Sequence, residues 1–376
     1  MLEEDTVSMQ NEEPIRILQI VDAVGRSGGV MQVIYNWHKN IDKTKIQFDY
    51  LCFMNSKTPI QKEIANLGGN VYCIHWKGIF YVFPFIKKIF KFFKTHRYNI
   101  LHSHITQMNF FYLPIAKLCG VKNIIQHSHA IKWSDKFLNG LRNRFLFFWI
   151  RPFITKKLAC SDSAGKFLFK KGYTLINNGI DTDKFKFNQE VRNKTRKVLN
   201  IENKFVIGHI GRFSYDKNHE FLVDIFKEVD KQNNNSILLL IGDGPLKKKI
   251  EQKVNNLNLS NNVIFAGTKN NVNDYYQAMD IFVFQSLFEG LGIVAVEAQC
   301  SGLHCFVSDG VPNEAIICNT IKIPLSKSAK EWADIILEKT KNFERKDCFE
   351  FIKKAGFDIQ ETAKQIQNIY LDLIGL

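Results

Sequence analysis

The sequence lacks the features that would mark a membrane-spanning, secreted or metal-binding protein. No apolar run reaches the roughly 18 residues that a membrane-spanning helix needs. The nearest candidate, residues 141–154, is short and carries arginines. The first dozen residues contain no apolar core of a signal peptide. The eight cysteines are scattered, with neither a C-x-x-C pair nor a nearby histidine at metal-binding spacing. We therefore expect reduced cysteines that pack inside a cytoplasmic protein.

Acidic residues are scarce in one part of the chain. Between Lys77 and Lys171 there are 18 lysines and arginines but only two acidic residues, Asp135 and Asp162. Since the formal net charge of the whole chain is +14, the remainder is close to neutral. This basic region indicates an anionic partner: nucleic acid, phospholipid or a phosphorylated substrate. No nucleic-acid-binding module is recognisable, so we predict no nucleic acid partner.

What the sequence does contain is a regular alternation of apolar runs and helical patterns. This alternation predicts an α/β protein with parallel sheets covered by helices, and 376 residues are enough for two domains. Ligands of such sheets collect at the carboxyl ends of the strands. We predict strands at residues 15–24, 46–53, 70–76, 99–105, 122–129, 157–162, 204–213, 236–245, 261–268, 281–286 and 304–309.

The most informative stretch is SLFEGLGIVAVEAQCSG, residues 286–302. Glu289 stands in a turn after an apolar run, and Glu297 follows eight positions later, about one turn inside a helix of small and apolar residues. Exposed amides at the start of such a helix attract phosphate, and carboxylates accept hydrogen bonds from ribose or hexose hydroxyls. A capped helix with two solvated carboxylates is the plainer interpretation of the spacing alone.

Two cations lie at another strand-to-helix turn in the second half. A predicted strand ends at Gly211, Arg212 follows, and Lys217 stands at the start of the next helix. Together they suit a diphosphate, whereas either one alone would fit a solvated basic loop. The turn IGDGP, which contains Gly242 and Asp243, follows the next strand, and we expect it near the base or ribose of a nucleotide.

The first half opens with a strand, a glycine-rich turn and a helix. Gly28 and Gly29 form this turn, which is typical of a phosphate-binding Rossmann-like unit, although they could simply be turn residues. The G-x-G-x-x-G spacing is missing, which argues against a dinucleotide site.

Histidines occur in pairs at the ends of two predicted neighbouring strands. His102 and His104 end one strand, and His127 and His129 end the next. Histidine at such an edge can donate to a sugar hydroxyl or to a developing phosphate charge. Four histidines also suggest zinc, but no carboxylate or cysteine ligand set accompanies them, so we predict no metal site.

Residues 84–97 form a lysine-rich amphipathic helix in the basic region. Its lysines recur at helical spacing and its phenylalanines cover a wide arc. Two interpretations stay open: an ordinary helix packed on the sheet, or an interfacial helix on anionic lipid. The mixture of arginine, lysine and aromatic residues in 136–157 favours lipid contact.

Residues 286–302 resemble the signature of the retaining glycosyltransferases of family 4, which have the two-lobed GT-B fold. The chain also resembles the family in the hinge phrase of residues 175–185 and in the Gly-Arg…Lys pattern of residues 211–217. The resemblance implies two Rossmann-like domains that face a central cleft. It implies an acceptor-binding domain (1–182), a nucleotide-sugar-binding domain (183–357) and a final helix (358–376) that crosses back to the first domain.

The same resemblance implies roles for individual residues. Glu289 would lie by the donor hexose and Glu297 would hold the ribose of the nucleotide. Arg212 and Lys217 would stabilise the diphosphate in place of a metal ion, and no other cofactor is expected. Asp181 and Asp183 form a D-x-D, which can hold a metal in the other glycosyltransferase fold, but here the hinge pattern explains both aspartates. His129 falls on the position of an active-site histidine, with His127 and His104 as alternatives. The nucleotide-sugar site would also include Gly28, Gly29, Gly211, Gly242, Asp243, Gly290, Leu291 and Gly292.

The chain looks like enzymes of capsule or exopolysaccharide assembly. We therefore expect transfer of a hexose or N-acetylhexosamine from a UDP-sugar to a lipid-diphosphate-linked saccharide, with retention of configuration. We also expect peripheral contact with the anionic inner face of the membrane. The alternatives are a hydrolysing sugar-nucleotide epimerase, which would lack the SLFEG…EAQ pattern, and a non-catalytic partner subunit, which would have lost a site residue.

Overall fold

A computed structural model of the chain describes residues 13–25, 29–54, 58–134 and 137–376. Within these residues the strands form two parallel sheets of seven and six strands, in the orders β3-β2-β1-β4-β5-β6-β7 and β10-β9-β8-β11-β12-β13. The predicted α/β class with two Rossmann-like domains is confirmed. The strands are β1 Ile15–Val21, β2 Ile46–Cys52, β3 Val71–Cys73, β4 Ile100–Ser103, β5 Asn123–Ser128, β6 Lys156–Ala159, β7 Thr174–Leu175, β8 Phe205–Ile210, β9 Ser236–Ile241, β10 Val263–Gly267, β11 Ile281–Phe284, β12 His304–Ser308 and β13 Thr320–Ile323.

Helices cover both faces of each sheet, which is why the central strands are apolar on both sides. Every residue of β2 and of β9 is buried. The helices are α1 Gly29–Asn40, α2 Pro59–Asn66, α3 Val82–Thr95, α4 Asn109–Leu118, α5 Phe137–Ile150, α6 Asp162–Phe169, α7 Thr182–Phe185, α8 Gln189–Leu199, α9 His219–Gln232, α10 Lys247–Asn256, α11 Val272–Ala278, α12 Ile293–Cys300, α13 Ala329–Thr340, α14 Phe349–Lys354 and α15 Ile359–Asp372.

Each sheet has two separate cores, one per face. In the first lobe, α1, α2 and α15 share one core, while α3, α4 and α5 share the other. In the second lobe, α9, α10 and α13 cover one face, and the opposite core includes α12 and α14. In parallel sheets covered in this way, a site is expected at the carboxyl ends of the strands.

The chain passes between the lobes twice, and the two passages lie side by side. The amide of Ile180 donates to the carbonyl of Phe357 at 2.8 Å, and the amide of Ile359 donates to the carbonyl of Ile180 at 2.9 Å. After the second passage α15 packs against α1, with Ile366 and Tyr370 buried in the core of the first lobe. The C-terminal helix is thus part of the first lobe.

Two expectations from the sequence need correction. Cys318 and Cys348 are joined by a disulfide with Cα atoms 6.1 Å apart, so not all eight cysteines are reduced. The pairing has no local signature, since the two residues are 30 positions apart and stand just before β13 and α14. The short strands β7 and β13 were absent from the predicted set because they lack a continuous apolar run.

The basic helix α3 packs as an ordinary core helix on one side and is charged on the other. Phe85, Ile89, Phe92 and Phe93 are buried, whereas the exposed side chains include Lys87, Lys88, Lys91, Lys94, Phe83 and Phe90. Among the described residues no helix is both long and apolar enough to cross a bilayer.

Candidate active site

The loop between β11 and α12, residues 285–292, is held in place by backbone hydrogen bonds to two neighbouring turns. The amide of Leu287 donates to the carbonyl of Asp216 at 2.8 Å, and the amide of Glu289 donates to the carbonyl of Gly310 at 3.0 Å. Gly292, with φ of +87°, lets the chain turn into α12. We call this segment the donor loop; it ends at a helix N-terminus, where amides are available to an anion.

Lys217 and Glu289 form an ion pair at the centre of the site. Nζ of Lys217 lies 2.6 Å from Oε1 of Glu289 and 3.2 Å from Oδ2 of Asp216. Burial lowers the pKa of Lys217, but attraction to the Glu289 and Asp216 carboxylates outweighs it, so the net shift is upward. Lys217 is therefore a fixed positive charge, and its side chain is only 19% exposed.

Arg212 is the second cation of the same turn, and its environment differs. Its side chain is exposed, and its guanidinium makes no ion pair or hydrogen bond with the described residues. An unengaged guanidinium in the same turn as a fixed ammonium leaves five donor hydrogens for an incoming anion.

A glycine turn lies against the loop that carries these cations. The amide of Gly211 donates to the carbonyl of Ile241 at 3.0 Å, and a Cβ on Gly242 would collide with the carbonyl oxygen of Gly211. Gly242 also has φ of +136°, so only glycine fits there without strain. The adjacent Asp243 is exposed, and its Oδ1 accepts a hydrogen bond from the amide of Gly244 at 2.8 Å.

Glu297 lies on α12 in a strongly desolvated position. Burial raises its pKa to about 7, while the hydroxyl of Tyr276, 2.9 Å from its Oε2, and the charge of Lys184 act in the opposite direction. A carboxyl with this pKa is partly protonated near neutral pH. A ligand that donates hydroxyl hydrogens to it would favour the charged form.

The first lobe closes on the donor loop from the opposite side. Ser161 donates to the carbonyl of Gly290 at 2.6 Å, and a Cβ on Gly290 would collide with the carbonyl oxygen of His129. A Cβ built on Gly29 would lie 3.9 Å from Cγ2 of Ile293, the first residue of α12. The first-lobe residues predicted for the site therefore lie next to the second-lobe residues. Gly28 falls outside the described residues.

The two histidine pairs come together, as their positions on β4 and β5 predict. The ring centroids of His102 and His104 are 4.1 Å apart, and those of His127 and His129 are 4.2 Å apart. One nitrogen each of His102, His104 and His127 lies within 4.8 Å of the others, which is close enough to be considered for a metal ion. All three histidines, however, already hydrogen-bond to one another or to neighbouring side chains, and no carboxylate or cysteine belongs to this set.

Some contributors carry no recognisable sequence signal. The position of Ser161 predicts only a helix cap, and its hydroxyl does accept a hydrogen bond from the amide of Ala164 at 3.1 Å. The same hydroxyl also donates to the carbonyl of Gly290 across the cleft. Asp216 and Tyr276 hold Lys217 and Glu297 through contacts that the spacing does not reveal. The D-x-D aspartate Asp181 caps α7, which accounts for it without a metal.

These features describe two Rossmann-like lobes that meet at a cleft, and comparison with known proteins identifies the family. Residues 27–184 match the family described as Glycosyltransferase Family 4, and residues 191–354 match Glycosyl transferases group 1. A Bacillus subtilis protein named as glycosyltransferase EpsF is 31% identical over 96% of this chain and 97% of its own. The chain therefore belongs to this glycosyltransferase family, which confirms the resemblance and argues against the epimerase alternative.

Further relatives and solved structures are similar over most of their length. An Escherichia coli protein named UDP-Gal:alpha-D-GlcNAc-diphosphoundecaprenol alpha-1,3-galactosyltransferase is 24% identical, covering 76% of this chain and 78% of the relative. Staphylococcus aureus CapH, named as a capsular polysaccharide biosynthesis glycosyltransferase, is 26% identical, covering 95% of this chain and 99% of the relative. The structure of Anabaena Alr3699/HepE with UDP and glucose is similar with a TM-score of 0.79 at 20% identity, covering 95% of this chain and 99% of that one.

Proposed function

We propose that the protein transfers a hexose or N-acetylhexosamine from a UDP-sugar to a lipid-diphosphate-linked saccharide, with retention of configuration, in surface polysaccharide synthesis. The observation that carries this proposal is the Lys217–Glu289 pair at the donor loop, with the unengaged guanidinium of Arg212 in the same turn. The names of the relatives support it: one includes a UDP-galactose donor and a diphosphoundecaprenol-linked acceptor, and the Anabaena structures contain UDP or UDP-glucose.

In this proposal the diphosphate of the donor binds between Arg212, Lys217 and the amides at the start of α12. Negative charge accumulates on the leaving phosphate as the glycosidic bond breaks, so these groups attract the transition state more strongly than the bound substrate. Glu297 accepts hydrogen bonds from the ribose hydroxyls. Because the cations supply the positive charge themselves, we propose that transfer needs no divalent metal.

Glu289 suits a role in positioning the hexose rather than in attacking it. Its carboxylate is already paired with Lys217 at 2.6 Å, which lowers its reactivity as a nucleophile. Retention then follows from attack on the same face that the leaving group departs from. The acceptor oxygen forms its bond to the anomeric carbon as the phosphate leaves, and the acceptor's proton passes to the departing phosphate oxygen.

The proposed lipid contact has a surface in the first lobe that fits it. Helix α5 buries Phe147 and Ile150 against the sheet but exposes a set of large apolar residues that we call the α5 surface: Leu138, Leu141, Phe145, Phe148 and Trp149, each at least half exposed. Exposed apolar area of this size next to basic residues is typical of membrane-binding surfaces.

Charge and position support lipid as the partner of the α5 surface. Arg142 and Arg144 lie on the same helix and are exposed, and the lysine face of α3 belongs to the same side of the sheet. Each such cation near an anionic leaflet contributes about 1 kcal/mol of binding. Nζ of Lys132, five residues before α5, lies 3.3 Å from the centre of the Phe288 ring, so the first lobe contacts the donor loop shortly before α5. Attachment there would bring a lipid-linked acceptor to the donor.

The test is incubation of the protein with UDP-, GDP- and TDP-sugars and a short lipid-diphosphate saccharide, with nucleotide release and product followed by mass spectrometry. We expect product with a UDP-sugar and loss of turnover in Lys217→Ala. The matched control is Lys253→Ala, which removes a half-buried lysine paired at 2.7 Å with Asp224 elsewhere in the second lobe. Equal activity of the two variants, or product from none of the donors, would contradict the proposal.

A further inference from the structure

Six buried or half-buried side chains of the first lobe form one continuous series of hydrogen bonds, which we call the relay. They come from three strands, the segments that follow two of them, and the C-terminal helix α15, far apart in sequence. In order along the series they are His127, His102, Tyr370, Gln19, His104 and His129.

Tyr370 joins the two arms of the relay. On one side its hydroxyl lies 2.7 Å from Nδ1 of His102, whose Nε2 lies 3.3 Å from Nδ1 of His127. On the other side it accepts from Nε2 of Gln19 at 3.0 Å, and Oε1 of Gln19 lies 2.9 Å from Nε2 of His104.

The second arm ends at His129, whose backbone carbonyl lies against Gly290 of the donor loop. Nδ1 of His104 lies 3.0 Å from Nε2 of His129. At the two ends of the relay, Nε2 of His127 and Nδ1 of His129 are buried and have no partner among the described residues.

The four histidines of the relay are neutral because they are removed from water. Burial lowers the pKa of His102, His104 and His127 far below the ordinary value and that of His129 to about 3. The ring of Trp37 stacks at 5.8 Å on that of His127 and helps to exclude solvent. A neutral imidazole has one donor nitrogen and one acceptor nitrogen, so each ring must receive on one side and donate on the other.

This requirement fixes all four tautomers once the amide of Gln19 is oriented. When the NH₂ of Gln19 points toward Tyr370, the Tyr370 hydroxyl accepts from it and donates to Nδ1 of His102. His102 and His127 then carry hydrogen on Nε2. The Gln19 oxygen then receives from Nε2 of His104, and His129 also carries hydrogen on Nε2. Turning the amide over reverses every bond, and all four rings then carry hydrogen on Nδ1.

We propose that the relay makes the tautomer of His129 depend on the orientation of the Gln19 amide, and that Tyr370 on the C-terminal helix couples this orientation to His102 and His127. The relay thus sets whether His129 offers the donor site a lone pair or an N–H at Nδ1. Tyr370 and Gln19 are thus positioning residues for His129. The amide passes on the direction of the hydrogen bonds but conducts no proton, since it has no readily exchanged second form. The effect on catalysis rests on the function proposed above, whereas the linkage of the tautomers does not.

The first experiment measures the tautomers directly in the full-length wild-type protein, and so does not depend on a variant that folds. Nitrogen NMR of protein labelled in its histidine rings distinguishes Nδ1–H from Nε2–H for each residue. We expect the same tautomer at His102, His104, His127 and His129. A mixture among the four would overturn the relay, and this result stands even if the protein transfers no sugar.

The second experiment measures the consequence for transfer with a matched pair of variants. Tyr370→Phe removes the hydroxyl that joins the arms. Tyr50→Phe removes an equally buried hydroxyl that lies 3.1 Å from Nδ1 of His38 in the same core but outside the relay. We expect Tyr370→Phe to lower kcat about tenfold or more, since a misoriented histidine tautomer is costly to catalysis, with KM for the donor changed by less than about twofold. Equal losses in the two variants would show that Tyr370 only stabilises the core.

Discussion

Glu297 provides the sharpest link between the structure and a measurement. Its pKa of about 7 in the folded protein compares with an ordinary value of 4.5. Between these values the folded state holds a proton that the unfolded chain has released, so stability falls as pH rises from about 4.5 to about 7. At 1.36 kcal/mol per unit the whole difference amounts to about 3 kcal/mol at most.

Substitution of Glu297 by Gln removes both the pH-dependent loss of stability and the carboxylate that would contact the ribose. Urea unfolding should show the variant gaining stability relative to wild type as pH rises from 5 to 8. Its affinity for a UDP-sugar should fall at pH 8, because a carboxylate acceptor of two hydroxyls has been lost. Wild type should bind the UDP-sugar more tightly as pH rises through 7, whereas the variant should not.

Calorimetry in two buffers of different ionisation enthalpy measures the linked proton. A UDP-sugar is the suitable ligand, since its diphosphate has no group that titrates near pH 7. We expect wild type to release a fraction of a proton at pH 6.5 and the Gln variant to release none. Tyr276→Phe is the directional control: loss of its hydroxyl should raise the Glu297 pKa further. Equal proton release by wild type and Gln variant would refute the reasoning.

Three other predictions concern the cations, the metal and the membrane. Arg212→Ala and Lys217→Ala should each lower kcat, because each removes roughly 2–4 kcal/mol of transition-state stabilisation, the scale of one preorganised donor. Near-normal turnover in both variants would show that the diphosphate binds elsewhere. Transfer should persist in excess EDTA; a complete loss that Mn²⁺ reverses would establish a metal requirement. In liposome sedimentation, wild type should pellet with anionic vesicles at low salt but remain in solution with neutral ones. Phe145→Ser with Trp149→Ser should abolish pelleting, and binding that survives this change would exclude the α5 surface.

The parts of the fold that sequence predicts are those set by local patterns. Continuous apolar runs locate the buried strands, such as β9 at residues 236–241, because both faces of a parallel strand are covered. The strand Thr174–Leu175 is too short and exposed to produce such a pattern. For the helix at 82–95, periodicity predicts an apolar arc beside the lysines but not which phenylalanines are buried. Phe92 is buried, whereas Phe90 and Phe83 are 38% and 81% exposed.

In the candidate site, too, sequence predicts the residues that belong to a local motif but not the contacts between distant residues. The residues around the donor loop are visible in the sequence because a motif carries them, although their roles stay predictions. The partnership of Lys217 with Glu289 joins residues 72 positions apart, and that of His102 with Tyr370 joins residues 268 apart. Contacts of this kind depend on how two lobes and a returning helix pack together, which residue spacing does not encode.

A crystal structure of the protein with a UDP-sugar would test the central claim most directly. The account predicts the diphosphate within hydrogen-bonding distance of Nζ of Lys217 and the guanidinium of Arg212, the ribose hydroxyls on Glu297, and the hexose beside the donor loop. A nucleotide bound elsewhere, or one whose diphosphate touches neither cation, would contradict it.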